Sequence, residues 1–349
     1  MFDKLLGNNH IKEILRRMLA KERVPRSLLF AGIEGVGKKQ FALELAKSFV
    51  CLNPQNAEAC DRCAACRRAD KFSFPKADDK KDEFERVLFS EHPDIGVVIP
   101  YKNGIPVDAV RDLEKEANFR PYEAKARIFI IDDADKLNSA QKNAANALLK
   151  TLEEPAPTTY LFLITARPDS LLQTIVSRCQ TIRFAPVETK DIQQKILGTE
   201  KFSPVDAELV ARLSAGSIGR ALDFDLEKFR ARRETMLNAL ESLTGKANHL
   251  GLLKIGEEMN DARNKDDYEF YLEILQTLIH DVWVFRQGAD EKAFLNVDLR
   301  TPLQKLAQTA TSRRLAAWLS EIENLRETLA VNVNRKIATD ALFVGMARG

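Results

Sequence analysis

The stretch Leu28-Leu29-Phe30-Ala31-Gly32-Ile33-Glu34-Gly35-Val36-Gly37-Lys38-Lys39 joins an apolar run of strand length to a glycine-rich turn. Residues 40–50 follow it with a pattern that predicts a helix. Gly32, Gly37 and Lys38 match the phosphate-binding pattern G-x-x-x-x-G-K-[ST], in which backbone N–H groups and a helix N-terminus surround phosphates. The last position departs from this pattern, because Lys39 stands where a Ser or Thr hydroxyl would bind Mg²⁺.

Composition indicates an ordinary globular protein with two or three domains. The chain has 349 residues, of which 45% are hydrophobic and 30% are charged. Its net charge of +2 means that contact with nucleic acid would need a local basic patch. No apolar run reaches the roughly 18 residues that a membrane span requires. Met1-Phe2-Asp3-Lys4 lacks the charge order of a secretion signal. We therefore expect a cytoplasmic protein without membrane contact.

Four cysteines lie close together in the sequence and predict a metal site. Cys51, Cys60, Cys63 and Cys66 have the spacing C-x8-C-x2-C-x2-C. Four thiolates complete a tetrahedral Zn²⁺ site with no open position, which is typical of structural zinc. An iron–sulfur cluster also takes four thiolates, but the short spacers favour a structural zinc knuckle. Cys179 is distant in sequence, and we interpret it as a small apolar filler.

A second strand carries acidic residues at its carboxyl end. The apolar run 128–131 is followed by Asp132 and Asp133. In open α/β sheets, ligands bind beyond the carboxyl ends of the strands. An acidic pair there can bind Mg²⁺ and its waters and can position a water for attack on a phosphate. A surface turn is the alternative interpretation of an isolated Asp-Asp pair.

The remaining sequence predicts an α/β part followed by helices. Strands alternate with helices as far as Pro186, which predicts a parallel sheet covered on both faces. Residues 71–91 form a charged insertion, which we expect to be exposed and partly helical near 83–89. After residue 188 the pattern is helical, and the apolar stretch 268–285 predicts a bundle that packs internally or also against partners.

The order of these motifs resembles that of bacterial clamp loaders, which are AAA+ proteins of the DNA polymerase III holoenzyme. The motifs are the phosphate loop, the cysteine cluster, His92-Pro93-Asp94, the run 128–137, Ser177-Arg178-Cys179 and the run 216–222. The resemblance is specific through about residue 225 and looser beyond, where Asn332-Val333-Asn334, followed by Ile337 and Leu342, resembles the family's last collar helices. It implies a P-loop-type AAA+ α/β domain over residues 1–185 with a zinc knuckle insertion at 51–66. A small helical lid over 186–227 and an all-α collar domain over 228–349 would follow.

Two departures from the family pattern concern ATP hydrolysis. ATPase subunits of the gamma/tau type carry Ser or Thr after the loop lysine and Glu after the strand aspartate, whereas this chain has Lys39 and Asp133. A Glu shortened to Asp withdraws its carboxylate by about 1.5 Å, and such a misplacement can cost about 10²-fold in rate. We expect ATP or ADP to bind without hydrolysis. The resemblance assigns this degenerate site to Gly32, Gly35, Gly37, Lys38, Lys39, Asp132, Asp133, Thr165 (sensor 1) and Arg220 (sensor 2).

The resemblance also implies that Arg178 acts as an arginine finger on the ATP of a neighbouring subunit. A guanidinium is always charged and can fork onto phosphate oxygens, and such fingers contribute about 10³–10⁵ in rate. The implied partners are gamma/tau-type ATPase subunits and a delta subunit in a hetero-pentamer. The assembly would act on the sliding clamp and on primed DNA.

Two other functions remain open from the sequence. The first is an active gamma/tau-type ATPase, which Lys39 and Asp133 disfavour and which Mg²⁺-dependent turnover by the isolated chain would support. The second is a zinc-knuckle nucleic-acid-binding module on an inert AAA+ fold. Tight, strongly salt-dependent DNA binding would support that function, because phosphate contacts release counterions.

Overall fold

The computed structural model describes residues 1–138, 143–245, 248–261, 267–290, 293–329 and 334–348. The chain divides into two compact units. The sheet unit contains residues 1–192 and 216–222, and the helical unit contains residues 193–215 and 223–349. The division into three domains stays a prediction. None of the described helices combines the length and the apolar character that a bilayer span requires.

The described residues of the sheet unit form six strands, whose spatial order is β2-β3-β4-β5-β1-β6. The strands are β1 (Ser27–Ala31), β2 (Leu88–Phe89), β3 (Ile95–Val98), β4 (Arg127–Ile131), β5 (Thr159–Thr165) and β6 (Gln180–Arg183). The pairs β1–β5, β1–β6, β3–β4 and β4–β5 are parallel, and β2 pairs antiparallel with β3. Every residue of β1, β3 and β4 is buried, as expected for strands covered on both faces. The predicted α/β parallel sheet is therefore confirmed.

The described residues up to 222 contain nine α-helices. They are α1 (Asn9–Ala20), α2 (Lys38–Val50), α3 (Ala64–Ala69), α4 (Val107–Ala117), α5 (Asn143–Glu153), α6 (Gln173–Val176), α7 (Thr189–Leu197), α8 (Pro204–Leu213) and α9 (Ile218–Leu222) among the described residues. Helix α8 lies in the helical unit, and α7 contains the residue at which the units divide. The sequence also predicts a helix over residues 139–151, and this helix is described from Asn143 onward, because 139–142 lie outside the described residues.

The insertion differs from its prediction. Residues 83–89 were expected to be partly helical, but a 3₁₀ turn at Lys81–Phe84 precedes strand β2. Leu88 is buried and pairs with Val97, and the Val87 amide donates to the Asp112 carboxylate at 2.9 Å. Residues 88 and 89 therefore form an antiparallel strand at the edge of the sheet instead of part of a helix.

The helical unit continues with α10 (Leu226–Thr244), α11 (His249–Met259), α12 (Tyr268–Gln287), α13 (Arg300–Thr309), α14 (Ser312–Leu329) and α15 (Arg335–Arg348). Its described residues contain helices and no strand, as predicted. Helix α12 supplies nine buried residues to the core, among them Tyr271. Trp318 is almost fully buried, and its indole N–H donates to the Met346 carbonyl at 2.9 Å. Asn332 and Val333, which the sequence analysis compares with the collar helices, lie outside the described residues.

Candidate nucleotide and metal sites

The phosphate loop, residues 32–38, connects β1 to α2 at the carboxyl edge of the sheet. Gly35 and Gly37 have φ values of +69° and +104°, a region that favours glycine. A Cβ at Gly35 would overlap the Ser217 hydroxyl. The Gly219 amide donates to the Gly35 carbonyl at 2.8 Å, so the start of α9 packs directly on the loop. Only a residue without a side chain fits at this contact.

Lys38 is the last residue of the loop, and its side chain turns back toward the residues that begin the loop. Its side chain is 6% exposed, and its ammonium donates to the carbonyls of Gly32 at 2.8 Å and Ile33 at 2.7 Å. Burial lowers the pKa of Lys38, although nearby carboxylates oppose this shift. A bound phosphate would offer this ammonium a stronger acceptor than either carbonyl.

Lys39 forms an ion pair with the carboxylate that the sequence assigned to magnesium. Its Nζ lies 2.8 Å from Asp132 Oδ2, and the two side chains are 41% and 21% exposed. The same Nζ lies 4.9 Å from the ring centroid of Phe74, within the range of a cation–π contact. Phe74 belongs to the insertion 71–91, and the sequence reasoning missed it. An aromatic residue within a charged run was the available signal.

Asp133 and Thr165 lie on the same edge but have other partners. Asp133 pairs with Lys136 at 2.9 Å. Thr165, fully buried at the end of β5, donates to Asp135 Oδ1 at 2.7 Å and accepts from the Arg167 amide at 2.9 Å. The loop, Asp132, Thr165 and the start of α9 therefore gather at one edge of the sheet. Arg220 lies exposed in α9, and its amide donates to the Ser217 hydroxyl at 3.2 Å.

Arg178 lies just after α6, and its described hydrogen bonds do not involve the phosphate loop. Its guanidinium donates to Glu153 Oε1 at 2.5 Å and to the Thr174 carbonyl at 2.9 Å. The side chain is 34% exposed and Glu153 is 49% exposed, so the pair is open to solvent. At the neighbouring Cys179, burial raises the pKa of the thiol to about 12, so this thiol is inert near neutral pH.

The four cysteines of the predicted zinc knuckle converge on one point. Their Sγ atoms all lie within 4.8 Å of one another. A tetrahedral Zn²⁺ with Zn–S bonds of about 2.3 Å needs sulfurs about 3.8 Å apart, so the cluster fits this ion after small movements. Cys51 follows α2 directly, and Cys63 caps the N-terminus of α3. The four ligands thus come from the ends of two helices and the loop between them.

Backbone amides prepare this cluster for a cation. Burial alone would raise the pKa of Cys63, but hydrogen bonds from the Cys66 and Leu52 amides lower it to about 6. Burial raises the pKa of Cys66. A thiolate at Cys63 near neutral pH suits a metal ligand, because thiolates rather than thiols bind metals.

A buried lysine connects the cysteine cluster to α2, and the sequence analysis missed it. Lys47 is 1% exposed and lies 2.5 Å from Asp61, 2.8 Å from Asp70 and 3.2 Å from Glu44. Burial by itself lowers its pKa, but hydrogen bonds to Asp61 and Asp70 raise it above the ordinary value. Asp61 lies between Cys60 and Cys63, so this ion cluster supports the loop that carries two of the four clustered cysteines.

Comparison with known proteins identifies the family. The family model described as "DNA polymerase III, delta subunit" matches residues 7–188. The model described as "DNA polymerase III, delta subunit, C terminal" matches residues 227–343. These two matches cover the sheet, the phosphate loop, the cysteine cluster and most of the helical unit.

Two similar curated proteins are named as delta′ subunits, and a third is named as a tau subunit. DNA polymerase III subunit delta′ of Bacillus subtilis is 29% identical over 97% of this chain and 96% of its own length. Subunit delta′ of Escherichia coli is 32% identical over 91% of this chain and 87% of its own length. Subunit tau of Bacillus subtilis is 28% identical over 79% of this chain but 46% of its own length. Matches at this coverage show that the chain belongs to the delta′ family of DNA polymerase III subunits.

Proposed function

We propose that this chain is the delta′ (delta prime) subunit of a bacterial clamp loader and acts as its stator. It supplies Arg178 to the ATP of a neighbouring subunit, while its own phosphate loop does not hydrolyse ATP. The partners are gamma/tau-type ATPase subunits and a delta subunit in a hetero-pentamer. Together they load the sliding clamp onto primed DNA. Family membership and the existence of tau relatives support this assignment.

The ion pair between Lys39 and Asp132 carries the non-hydrolysing part of the proposal. Hydrolysis at a phosphate loop needs Mg²⁺ held by a loop hydroxyl and a strand-end carboxylate. The hydroxyl is absent here, and an ammonium lies 2.8 Å from the carboxylate. Asp133, which is one methylene shorter than the Glu of active subunits, pairs with Lys136 at 2.9 Å. A single ammonium supplies half the charge of Mg²⁺ and coordinates no water, so it can aid binding without supporting turnover.

Arg178 has the chemical properties that the finger requires. Its planar guanidinium matches phosphate oxygens in geometry and keeps its charge. Glu153 holds it in the isolated chain through a solvent-exposed pair of the kind that contributes about 0.2–1 kcal/mol. A phosphate of a neighbouring subunit can displace such a partner at small cost.

We also propose that the cysteine cluster binds one structural Zn²⁺. The sulfur arrangement and the lowered pKa of Cys63 support this ion. Four protein ligands leave no open position, so the metal when bound stabilises residues 51–66 and supplies no reaction step.

The proposal is tested with Arg178→Ala in a loader reconstituted with its ATPase subunits, clamp and primed DNA. Arg111→Ala is the matched control, because Arg111 is also exposed and paired with one carboxylate, Asp108, at 3.0 Å. We expect Arg178→Ala to assemble normally but to lower turnover at the neighbouring site by about 10³-fold or more. Arg178→Lys should restore little, since lysine lacks the fork.

Turnover and clamp loading should be unchanged in the control. Full ATPase activity with Arg178→Ala would show that this residue is not an arginine finger. A loss of assembly would be visible by size-exclusion chromatography and would separate a structural defect from a catalytic one.

A further inference from the structure

We propose that the phosphate loop binds ATP or ADP as the metal-free anion, with the Lys39 ammonium in the position that Mg²⁺ takes in active relatives. Magnesium then weakens binding instead of strengthening it. This inference rests on the proposed non-hydrolysing function of the loop and specifies which ionic form of the nucleotide the site selects.

The position of Lys39 follows from its two connections. It directly follows the loop lysine in sequence, at the residue that supplies the metal-binding hydroxyl in G-x-x-x-x-G-K-[ST] loops. Its ammonium is also within 2.8 Å of Asp132, the strand-end carboxylate of the same site. In phosphate-loop enzymes, the loop hydroxyl and the strand-end carboxylate hold Mg²⁺ between them. Lys39 therefore brings its own cation to that place.

The insertion helps to hold this cation in place. Phe74 covers the Lys39 ammonium at 4.9 Å, and Phe72 stacks on Phe74 with ring centroids 5.2 Å apart. Lys71 and Glu91 join the two ends of the insertion by an ion pair at 3.1 Å and a backbone hydrogen bond at 2.8 Å. The insertion thus presents an aromatic face to the ammonium, which assigns it a function that the sequence did not reveal.

Charge explains why Mg²⁺ should oppose binding. The free nucleotide offers its full phosphate charge to Lys38 and Lys39, whereas bound Mg²⁺ neutralises part of it. Mg²⁺ would also lie beside the Lys39 ammonium, and like charges at such a distance repel. Asp132 cannot compensate as a metal ligand while it is paired with Lys39. Both effects favour the metal-free anion.

Calorimetric titration of the zinc-loaded chain with ATP, and separately with ADP, tests the proposal. Each titration is performed in EDTA after zinc retention has been verified, and again in excess Mg²⁺ without EDTA. We expect saturable binding in EDTA and about fivefold weaker binding in Mg²⁺, the effect of one partly exposed ion pair. Binding that is tighter in Mg²⁺ would overturn the proposal, as would no saturable binding in either buffer.

Variants separate the function of Lys39 from general loss of charge. Lys39→Thr restores the hydroxyl, so its affinity in EDTA should fall about fivefold and Mg²⁺ should now strengthen binding. Lys228→Met is the control, because Lys228 is 45% exposed and pairs with Asp267 at 2.5 Å in the helical unit. A Lys39→Thr variant that responds to Mg²⁺ like the unmodified chain would overturn the proposal. Hydrolysis of ATP by the chain would refute the non-hydrolysing function, whereas the effect of Mg²⁺ on ADP binding tests this inference by itself, so the two claims fail separately.

Discussion

Replacing Lys47 by Met should destabilise the sheet unit and weaken metal binding together. Lys47 is 1% exposed and contacts three carboxylates. Methionine has a similar shape but no charge, so the change isolates the electrostatic contribution. Glu44 would then remain buried with Lys4 as its described ionic partner. Its Oε2 atom already lacks a hydrogen bond.

The size of the expected destabilisation follows from how exposed the three carboxylates around Lys47 are. Removing one member of a fully buried ion pair costs about 3–5 kcal/mol. Asp61 and Asp70 are 33% and 45% exposed, so water solvates both carboxylates and reduces the cost of losing their ion pairs with Lys47. We therefore expect a decrease of about 2–3 kcal/mol in the free energy of unfolding. For a unit of this size, the melting temperature should fall by about 5–10 °C.

Metal affinity should fall in the same variant, because Asp61 lies between two ligands. Loss of a residue that orients metal ligands typically costs about 10–100-fold in affinity. The assays are thermal unfolding of the metal-loaded protein and competition for Zn²⁺ with a chromophoric chelator. Lys81→Met is the control, since Lys81 is 55% exposed and pairs with Glu85; its effect should stay below about 0.5 kcal/mol. Equal stability and equal metal affinity of Lys47→Met and Lys81→Met would refute the reasoning.

Three further results are expected. Cys66→Ser should abolish stoichiometric Zn²⁺ binding, and retention of one tightly bound ion in elemental analysis would contradict the four-thiolate site. Glu153→Gln removes the carboxylate that competes for Arg178, so ATP turnover by the assembled loader should rise by up to about fivefold; a fall would show that the carboxylate positions the finger. Burial alone would raise the pKa of Asp61, but hydrogen bonds from Lys47 and Lys4 lower it below the ordinary 3.8. Its contribution to stability is therefore present above pH 3.8 and lost as the pH falls through the folded pKa, so urea titrations should show the stability cost of Lys47→Met shrinking below that pH.

Local patterns predicted the sheet well because its strands are short apolar runs between clear breaks. The predicted run from Leu28 began one residue after the observed start of β1, and the predicted run 128–131 began one residue after the observed start of β4. The insertion was less predictable, because β2 has two residues and depends on pairing with β3. A strand that exists through a distant partner leaves little periodic signal in its own sequence.

The candidate sites likewise contain features that are local in sequence and contacts that are not. The cysteine spacing and the loop motif are local in sequence, so both could be located without coordinates. Lys47 lies 14 and 23 positions from its partners Asp61 and Asp70, and Lys39 lies 35 positions from Phe74. Such contacts depend on how an insertion folds back on the sheet, which no short motif encodes. Arg178 was found by resemblance, and its pairing with Glu153 emerged from the structure.

The central claim is that this subunit does not hydrolyse ATP itself. The most direct test is steady-state ATP hydrolysis by the isolated, zinc-loaded chain in Mg²⁺, with an active gamma/tau-type subunit measured in parallel. The ion pair between Lys39 and Asp132 predicts no turnover above background. Mg²⁺-dependent hydrolysis at a rate comparable to that of the active subunit would contradict the account and would support an ATPase of the gamma/tau type.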